Sequence, residues 1–495
     1  MALSLLGVDH PGRVTGVTLD SRAVAPGDLY VALPGSRTHG AGFAAQAVAA
    51  GAVAILTDPA GAPAGTATGV PVVVVDDPRA VMGRIAADVY GRPGDRLFLY
   101  GVTGTNGKTS TAILVQAGLA AADVPAASIG TLGFRVRGEQ LETGRTTITT
   151  PEAPDLQALL ALMVERGVAA VAMEVSSHAL AQDRVAELTF DVAAFTMLGR
   201  DHLEYHHTME AYFAAKERLF LDGRSRVQVV SVDDRWGRRL ADAVRGQGRR
   251  PVTTGFSIDA DYRIVAWAAD DESGGTRARL ATPRGTLSLA LALPGEFNVR
   301  NAVTAIAMLD AGGVDIAAAL PGVSTAQIPG RMQRVELPGA APRVVVDFAH
   351  TPEAVDAALR SLPGRIVAVV GSGGDRDPAK RAPIGAAAAR HAAVVVVTDD
   401  NPRTEDPALI RAAVAAGARE EAAGQPRHVD VVEQGGRRDA IALALDRARP
   451  GDWVAILGKG HEQGQTIGTD VIPFDDVTVV RAVWDGRADG SDHAE

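Results

Sequence analysis

The run Gly104-Thr105-Asn106-Gly107-Lys108-Thr109-Ser110 follows "RLFLYGVT" and leads into "TAILVQAGLAAA". That order reads as strand, glycine-rich loop, helix. Glycines let successive backbone N–H groups turn toward an anion, and a helix beginning near Lys108 adds its positive dipole end. Lys108 can then reach the β- and γ-phosphates of a nucleotide, while Thr109 or Ser110 can ligate Mg²⁺. The spacing misses the G-x-x-x-x-G-K pattern by one residue, because Val102 stands where the first glycine should be and Gly101 lies one position earlier.

Further along, Glu174 closes "AAVAME", and Asp201 with His202 follows "FDVAAFTMLGR". A carboxylate and an imidazole at strand ends beside a phosphate loop can bind Mg²⁺ or hold a water; a structural histidine is the plainer alternative. Lys216, in "AYFAAKERLF", reads from its surroundings as a solvated helix lysine. The stretch "TDDNPRTEDP" (398–407) follows the apolar "AAVVVV". Its acids, amide and arginine make either an ordinary polar loop or a site for something bearing both an amine and a carboxylate.

Parallel sheets must position these groups. Continuous apolar runs such as "AVAILT" (52–57), "PVVVV" (71–75), "VAAVAMEVSS" (168–177), "VQVVSV" (227–232), "RVVVDFA" (343–349), "RIVAVVGSGG" (365–374) and "DWVAILGKG" (452–460) alternate with alanine-rich helical stretches. Runs of this kind suit strands buried on both faces, so the expected class is α/β built from βαβ units. In such sheets ligands sit beyond the carboxyl ends of the strands. The turn-rich "YGRPGDR" (90–96) and the Pro/Gly-rich stretch 324–343 suggest domains 1–95, 96–327 and 328–495, with a small antiparallel excursion over 269–297 and a frayed tail.

Composition narrows the functional classes. The 495 residues are too many for one core. Asp and Glu exceed Lys and Arg by 59 to 49, a net charge of −10 that argues against general nucleic-acid or anionic-membrane binding. There is no cysteine, which excludes disulfides, thiolate metal sites and a cysteine nucleophile. The N-terminus is a poor signal peptide and there is no apolar run long enough to span a membrane, so a cytoplasmic location is expected; the partners expected are small-molecule substrates, with a monomeric chain.

Taken in order, "GVTGTNGKTS", "AMEVSSHALAQDRV", "RDHLEYH", "AYFAAKERLF", "GEFNVRNA", "GRMQRVE", "VVVDFAHTPEAV", "GSGGDRDPAKR", "TDDNPRTEDP" and "LGKGHEQGQ" resemble the Mur ligases. The N-terminal "TLDSRAVAPGDLYVALPG" and "DNPR" are similar to the MurE type. The resemblance implies three domains: uridine-binding, a P-loop ATP-binding centre, and a Rossmann-like C-terminal domain that binds an amino acid. It implies ATP-dependent amide formation in peptidoglycan precursor synthesis. The D-Glu γ-carboxylate of UDP-MurNAc-L-Ala-D-Glu would be phosphorylated, and the acyl phosphate attacked by the amine of 2,6-diaminopimelate, the meso isomer being expected. The alternatives are an LL-diaminopimelate- or L-lysine-adding ligase, or a folylpolyglutamate synthetase-like enzyme, which would not explain "TLDSR". A non-catalytic nucleotide-binding scaffold would not explain the intact Lys108, Glu174, His202 and Lys216.

Residue by residue, the resemblance assigns Leu19, Ser21, Ser36, Arg37 and Thr38 to the uridine-diphosphate end. Gly104, Thr105, Asn106, Gly107, Lys108, Thr109 and Ser110 would hold ATP phosphates; Asn298 would meet adenine, and Arg331 and Asp347 the ribose and phosphate region. Thr149, Thr150, Ser176, Gln182 and Arg184 would hold the muramoyl-dipeptide. Ser110, Glu174, His202 and a carbamylated Lys216 (N6-carboxylysine) would serve Mg²⁺. For diaminopimelate it assigns Arg376, Asp400, Asn401, Pro402, Arg403, Gly458 and Glu462. Arg403 with Arg376 would take the distal carboxylate, and Glu462 with Asp400 the distal amine. Lysine lacks that carboxylate and would leave a guanidinium unpaired, so diaminopimelate is expected. The chain departs from the family pattern at Ile148 and Met197, where asparagine is common.

Overall fold

The computed structural model describes residues 1–2, 4, 7, 12–35, 37–141, 149–270 and 273–491. Internal contacts divide the chain into two compact units. The first is Met1–Ile264 with Ala281–Gly285 and Arg300–Val323; the second is Val265–Leu280, Thr286–Val299 and Ser324–Glu495.

In the first unit, Gly16–Thr18, Asp28–Ala32, Ala54–Thr57 and Val72–Val74 form a parallel four-stranded sheet in chain order. A second sheet runs Val252–Gly255, Ser225–Ser231, Phe190–Phe195, Phe98–Thr103, Ala170–Glu174, Ala126–Gly130, all parallel. Antiparallel Gly133–Val136 and Glu139–Leu141 continue it beyond Ala126–Gly130. Phe98–Thr103 is the strand at which the topology reverses: the chain first builds the sheet on one side of it, then on the other. A crevice opens outside the carboxyl end of such a strand, and Gly104–Gly107 occupies that end. The core beneath it packs Leu99, Val171, Met173, Phe190 and Phe195 against Leu156, Leu160, Phe213 and Phe220.

The second unit holds a sheet ordered Gln333–Val335, Arg343–Asp347, Trp453–Leu457, Ile366–Val370, Val394–Val397, Asp430–Glu433. Only the first pairing is antiparallel. Trp453–Leu457 inserts late in the chain between Arg343–Asp347 and Ile366–Val370. Here too the order reverses, so the loops after Ile366–Val370, Val394–Val397 and Trp453–Leu457 converge. Alternate residues of these strands face two apolar layers, one with Val345, Ala368, Val395 and Ala455, the other with Val344, Val367, Val394 and Val454. That two-sided burial is why the runs read as continuously apolar.

Each of the apolar runs named above contains a strand. The excursion over 269–297 holds two strands, Gly275–Thr282 and Gly285–Leu291, adjacent in their sheet.

Candidate functional site

The phosphate loop is shaped by two glycines. Gly104 has φ +148°, and a Cβ there would stand 1.9 Å from Thr196 Oγ1 and 3.0 Å from the Met197 carbonyl. Gly107 has φ +86°, and its Cβ would meet Asn301 Oδ1 at 2.4 Å. At these two positions of the turn before the helix Lys108–Ala121, a side chain would meet both strain and close contacts. Thr105 N donates to the Met197 carbonyl at 2.8 Å, and Thr196 Oγ1 donates to the Asn106 carbonyl at 2.6 Å. Met197 therefore supports the loop through its main chain, which needs no asparagine side chain. Thr109 and Ser110 are buried in the first helical turn.

Two lysines meet on one carbonyl. Lys108 Nζ donates to Gly104 O at 3.0 Å and Thr105 O at 2.9 Å, and Lys216 Nζ donates to Gly104 O at 2.8 Å. Lys216 is 1% exposed, on the helix Met209–Leu221, with its ammonium 4.6 Å from the Tyr212 ring centroid. Burial drives its pKa well below the ordinary lysine value; Lys108 pushes the same way and Asp201 opposes. The solvated lysine expected from local sequence is thus a buried one. The helix presents this position inward, beside Phe213 and Phe220, so the neighbouring charges Glu217 and Arg218 misrepresented it.

Glu174 ends its strand and is buried; its carboxylate accepts from Thr131 N at 2.8 Å and Thr131 Oγ1 at 3.1 Å. Gly130 leaves this carboxylate its place, since a Cβ there would lie 2.2 Å from Glu174 Oε1 and force the side chain to shift. Thr150 Oγ1 donates to the Glu174 carbonyl at 2.8 Å and accepts from Ser176 N at 3.0 Å. Thr149 Oγ1 lies 3.3 Å from Thr131 Oγ1. Arg184 donates to Thr150 O at 2.9 Å and to Gln182 Oε1 at 2.7 Å, and pairs with Glu152 at 2.9 Å. Thr149, Thr150, Ser176, Gln182 and Arg184 are therefore brought into one hydrogen-bonded network that includes Glu174. Thr131 belongs to it too; sequence reasoning passed over it, and its signal was a hydroxyl directly after a glycine at a strand end.

His202 has φ 54° and is half-exposed, its Nε2 3.4 Å from Asp201 Oδ2 and its ring edge-on to His178 with centroids 4.9 Å apart. Among the described residues no group of three or more His, Asp or Glu could hold a metal ion alone. Ser110, Glu174 and His202 offer mostly oxygen donors, the set that suits Mg²⁺ shared with phosphates and water.

In the four-stranded-sheet region of the first unit, Ser21 is buried with its Oγ 3.3 Å from Gln46 Oε1, and Leu19 packs on the Val14, Val17, Leu29 cluster. Arg37 and Thr38 are exposed. Ser36 and Ile148 lie outside the described residues.

In the second unit, Asn298 is buried with Nδ2 donating to Pro294 O at 2.8 Å. Asp347 accepts from Met332 N at 2.6 Å and Ala349 N at 2.8 Å; burial nevertheless raises its pKa. Arg331 stacks its guanidinium 4.7 Å from the Phe348 ring centroid.

The converging loops of this unit gather the remaining residues. Asp400 is buried and its pKa is raised by burial. Asn401 Nδ2 donates to Glu462 Oε2 at 2.8 Å and Asp400 Oδ1 at 3.2 Å. Gly458 has φ +114°, and a Cβ there would come 3.0 Å from Asp400 Oδ2. Arg403, at φ 50°, donates from Nη1 to Gly374 O at 2.6 Å. A Cβ at Gly373 would lie 2.9 Å from Arg403 Nη1 and 3.9 Å from Arg376 Cγ, so both arginines flank that glycine. The buried Pro402 carbonyl lies where a Cβ at Gly374 would come 2.0 Å from it. Glu405 does not pair with Arg403; both its oxygens take Arg381 Nη2 at 2.8 Å. Asp406 caps the helix Pro407–Ala423, and Asp399 pairs with Arg411 at 2.5 Å. Glu405, Asp406 and Asp399 are thus engaged elsewhere, while Asp375, which accepts from Thr404 N at 3.2 Å and Thr404 Oγ1 at 2.8 Å, also feels the charges of Arg403 and Arg376. Lys459, fully buried beneath Asn401 and Glu462, was not singled out from sequence, although "GKGHE" contains it.

The chain matches three family models: Mur ligase family, catalytic domain over residues 13–90; Mur ligase middle domain over 102–309; and Mur ligase, glutamate ligase domain over 330–460. It is 49% identical to the UDP-N-acetylmuramoyl-L-alanyl-D-glutamate--2,6-diaminopimelate ligase of Streptomyces coelicolor, covering 97% of this chain and 94% of that one. The protein of the same name from Corynebacterium glutamicum is 46% identical, over 95% and 91% of the two chains. A solved structure titled as a ligase of that name superposes with TM-score 0.70 at 31% identity, covering 99% of both chains. Among the described residues no helix is long and apolar enough to cross a membrane. With identity at this level over nearly its whole length, the chain belongs to the Mur ligase family.

Proposed function

We propose that the chain is an ATP-dependent ligase joining 2,6-diaminopimelate to the D-Glu γ-carboxylate of UDP-MurNAc-L-Ala-D-Glu, releasing ADP and phosphate. The observation that carries this reading is the second-unit pocket, which sets Arg403 and Arg376 on one glycine and Asp400 with Asn401 and Glu462 nearby. Positive and negative groups in one pocket match a substrate end bearing a carboxylate and an amine. The names of the relatives from Streptomyces coelicolor and Corynebacterium glutamicum agree with it.

In this reading Gly104–Ser110 cradles the ATP phosphates, and Lys108 leaves the loop carbonyls to neutralise charge on the γ-phosphoryl. The Thr149, Thr150, Ser176, Gln182, Arg184 network orients the dipeptide so that its γ-carboxylate oxygen attacks phosphorus. The amine then adds to the acyl phosphate carbon, loses a proton and expels phosphate. Mg²⁺ held by Ser110, Glu174, His202 and carbamylated Lys216 would supply further neutralisation of phosphoryl oxygen charge. Carbamylation needs an uncharged amine to attack CO₂, and the burial of Lys216 favours that form.

Phosphate release tests the proposal. It should require ATP, the UDP-linked dipeptide and diaminopimelate together; release without the diamino acid, or none with all three, would overturn it.

A further inference from the structure

Lys459 is 0% exposed, and its ammonium has three acceptors: Asn401 Oδ1 at 3.2 Å, Glu462 Oε2 at 2.9 Å and Gly464 O at 2.5 Å. An ammonium has three N–H donors, so none is left for a ligand. A lysine is almost never buried completely unless it is paired.

What the bonds fix is specific. Asn401 Oδ1 accepts from Lys459 and from Thr466 N at 2.9 Å. With two donors on Oδ1, the amide turns Nδ2 toward Glu462 and Asp400. On Glu462, the bonds from Asn401 and Lys459 both fall on Oε2. Oε1 has no hydrogen bond among the described residues, and the side chain is 35% exposed. One oxygen is anchored and the other is available to an amine.

We infer that Lys459 is a positioning residue of the amino-acid pocket, setting the Asn401 amide and the Glu462 carboxylate in the one arrangement that receives the substrate's distal amine. The inference rests on the pocket reading above. It adds a charge role: burial pushes the Glu462 carboxyl up, and hydrogen bonds from Asn401 and Lys459 outweigh it, leaving it below its usual value.

The test is steady-state phosphate release by the full chain with Lys459→Met, varying each substrate in turn. KM for diaminopimelate should rise about ten- to a hundredfold, the range of one lost charged hydrogen bond. KM for ATP and for the UDP-linked dipeptide should stay within about twofold, since the bonds of Lys459 go to Asn401, Glu462 and Gly464 of the amino-acid pocket. The acid limb of kcat/KM for diaminopimelate should also move to higher pH, because Glu462 loses the cation that holds it ionised. A purely structural lysine would not move that limb. Where Lys459→Met does not fold, Lys459→Gln keeps a donor without the charge and carries the same comparison. An equal rise in all three KM values, or an unmoved acid limb, overturns the inference. Failure of the wild-type enzyme to use diaminopimelate would instead overturn the function proposed above.

Discussion

Replacing Arg403 by alanine separates the guanidinium from the loop that carries it. Arg403 sits at φ 50°, a conformation that costs any side-chain-bearing residue roughly 1–2 kcal/mol. Alanine meets the same cost, so the substitution adds no new backbone strain. The main chain stays clamped, with Arg403 N donating to Thr466 O at 3.1 Å and Gly468 N donating to Arg403 O at 2.7 Å. What is lost is the bond from Nη1 to Gly374 O and the positive charge beside Arg376. A charged hydrogen bond is worth roughly 1.5–3 kcal/mol, so kcat/KM for diaminopimelate should fall about ten- to a hundredfold. L-lysine has no distal carboxylate to lose contact with, so its poor use should change little and the preference between the two should narrow. The assay is phosphate release with each amino acid, at saturating and varied ATP. If KM for ATP rises as much as KM for diaminopimelate, or lysine use falls in parallel, Arg403 does not read the distal carboxylate.

Lys216→Met should abolish turnover yet leave the urea midpoint unchanged or raised, because a desolvated amine is replaced by an apolar chain of similar length; lost stability with retained turnover would contradict its role. Wild-type activity should drop when CO₂ and bicarbonate are removed and return on adding bicarbonate, and an insensitive enzyme would count against the carbamate. His206, buried against Ser177 Oγ at 2.9 Å, has its pKa lowered by burial from 6.5 to about 4. The unfolded chain takes this proton first as pH falls, so folding stability should decline from pH 6.5 toward about 4, by up to roughly 3 kcal/mol. His206→Gln should flatten that decline in chemical denaturation; an identical slope would refute the assignment. Asp476→Asn strands the fully buried Arg437, which Asp476 holds at 2.7 and 2.8 Å, and should cost about 3–5 kcal/mol; a loss under 1 kcal/mol, on the order of one neutral hydrogen bond, would mean the charge is compensated elsewhere.

Most strands of the three sheets with parallel pairings were legible because burial on two faces leaves runs such as "AAVVVV" with no polar residue. Ala126–Gly130 escaped notice: "AASIG" is buried throughout, yet Ile129 is its one large apolar side chain. Gly16–Thr18 and Gln333–Val335 are too short to show a period. At the site, the loops that bear Lys108 and Arg403 could be read from their glycine, proline and polar residues after apolar strands. The environment of Lys216 could not, because which face of its helix turns inward depends on Phe195, from the strand Phe190–Phe195, packing against Phe213. Lys459 was hidden for a related reason. Its partners Asn401 and Glu462 come from different strand ends, and only the sheet order brings them together.

The most direct test of the account is the product formed from UDP-MurNAc-L-Ala-D-Glu and ATP when meso-diaminopimelate, LL-diaminopimelate and L-lysine are offered together at equal concentration. Mass spectrometry should find the diaminopimelyl tripeptide as the dominant product, with ADP formed in equal amount. A lysyl product in comparable yield, or ADP without any tripeptide, would contradict it.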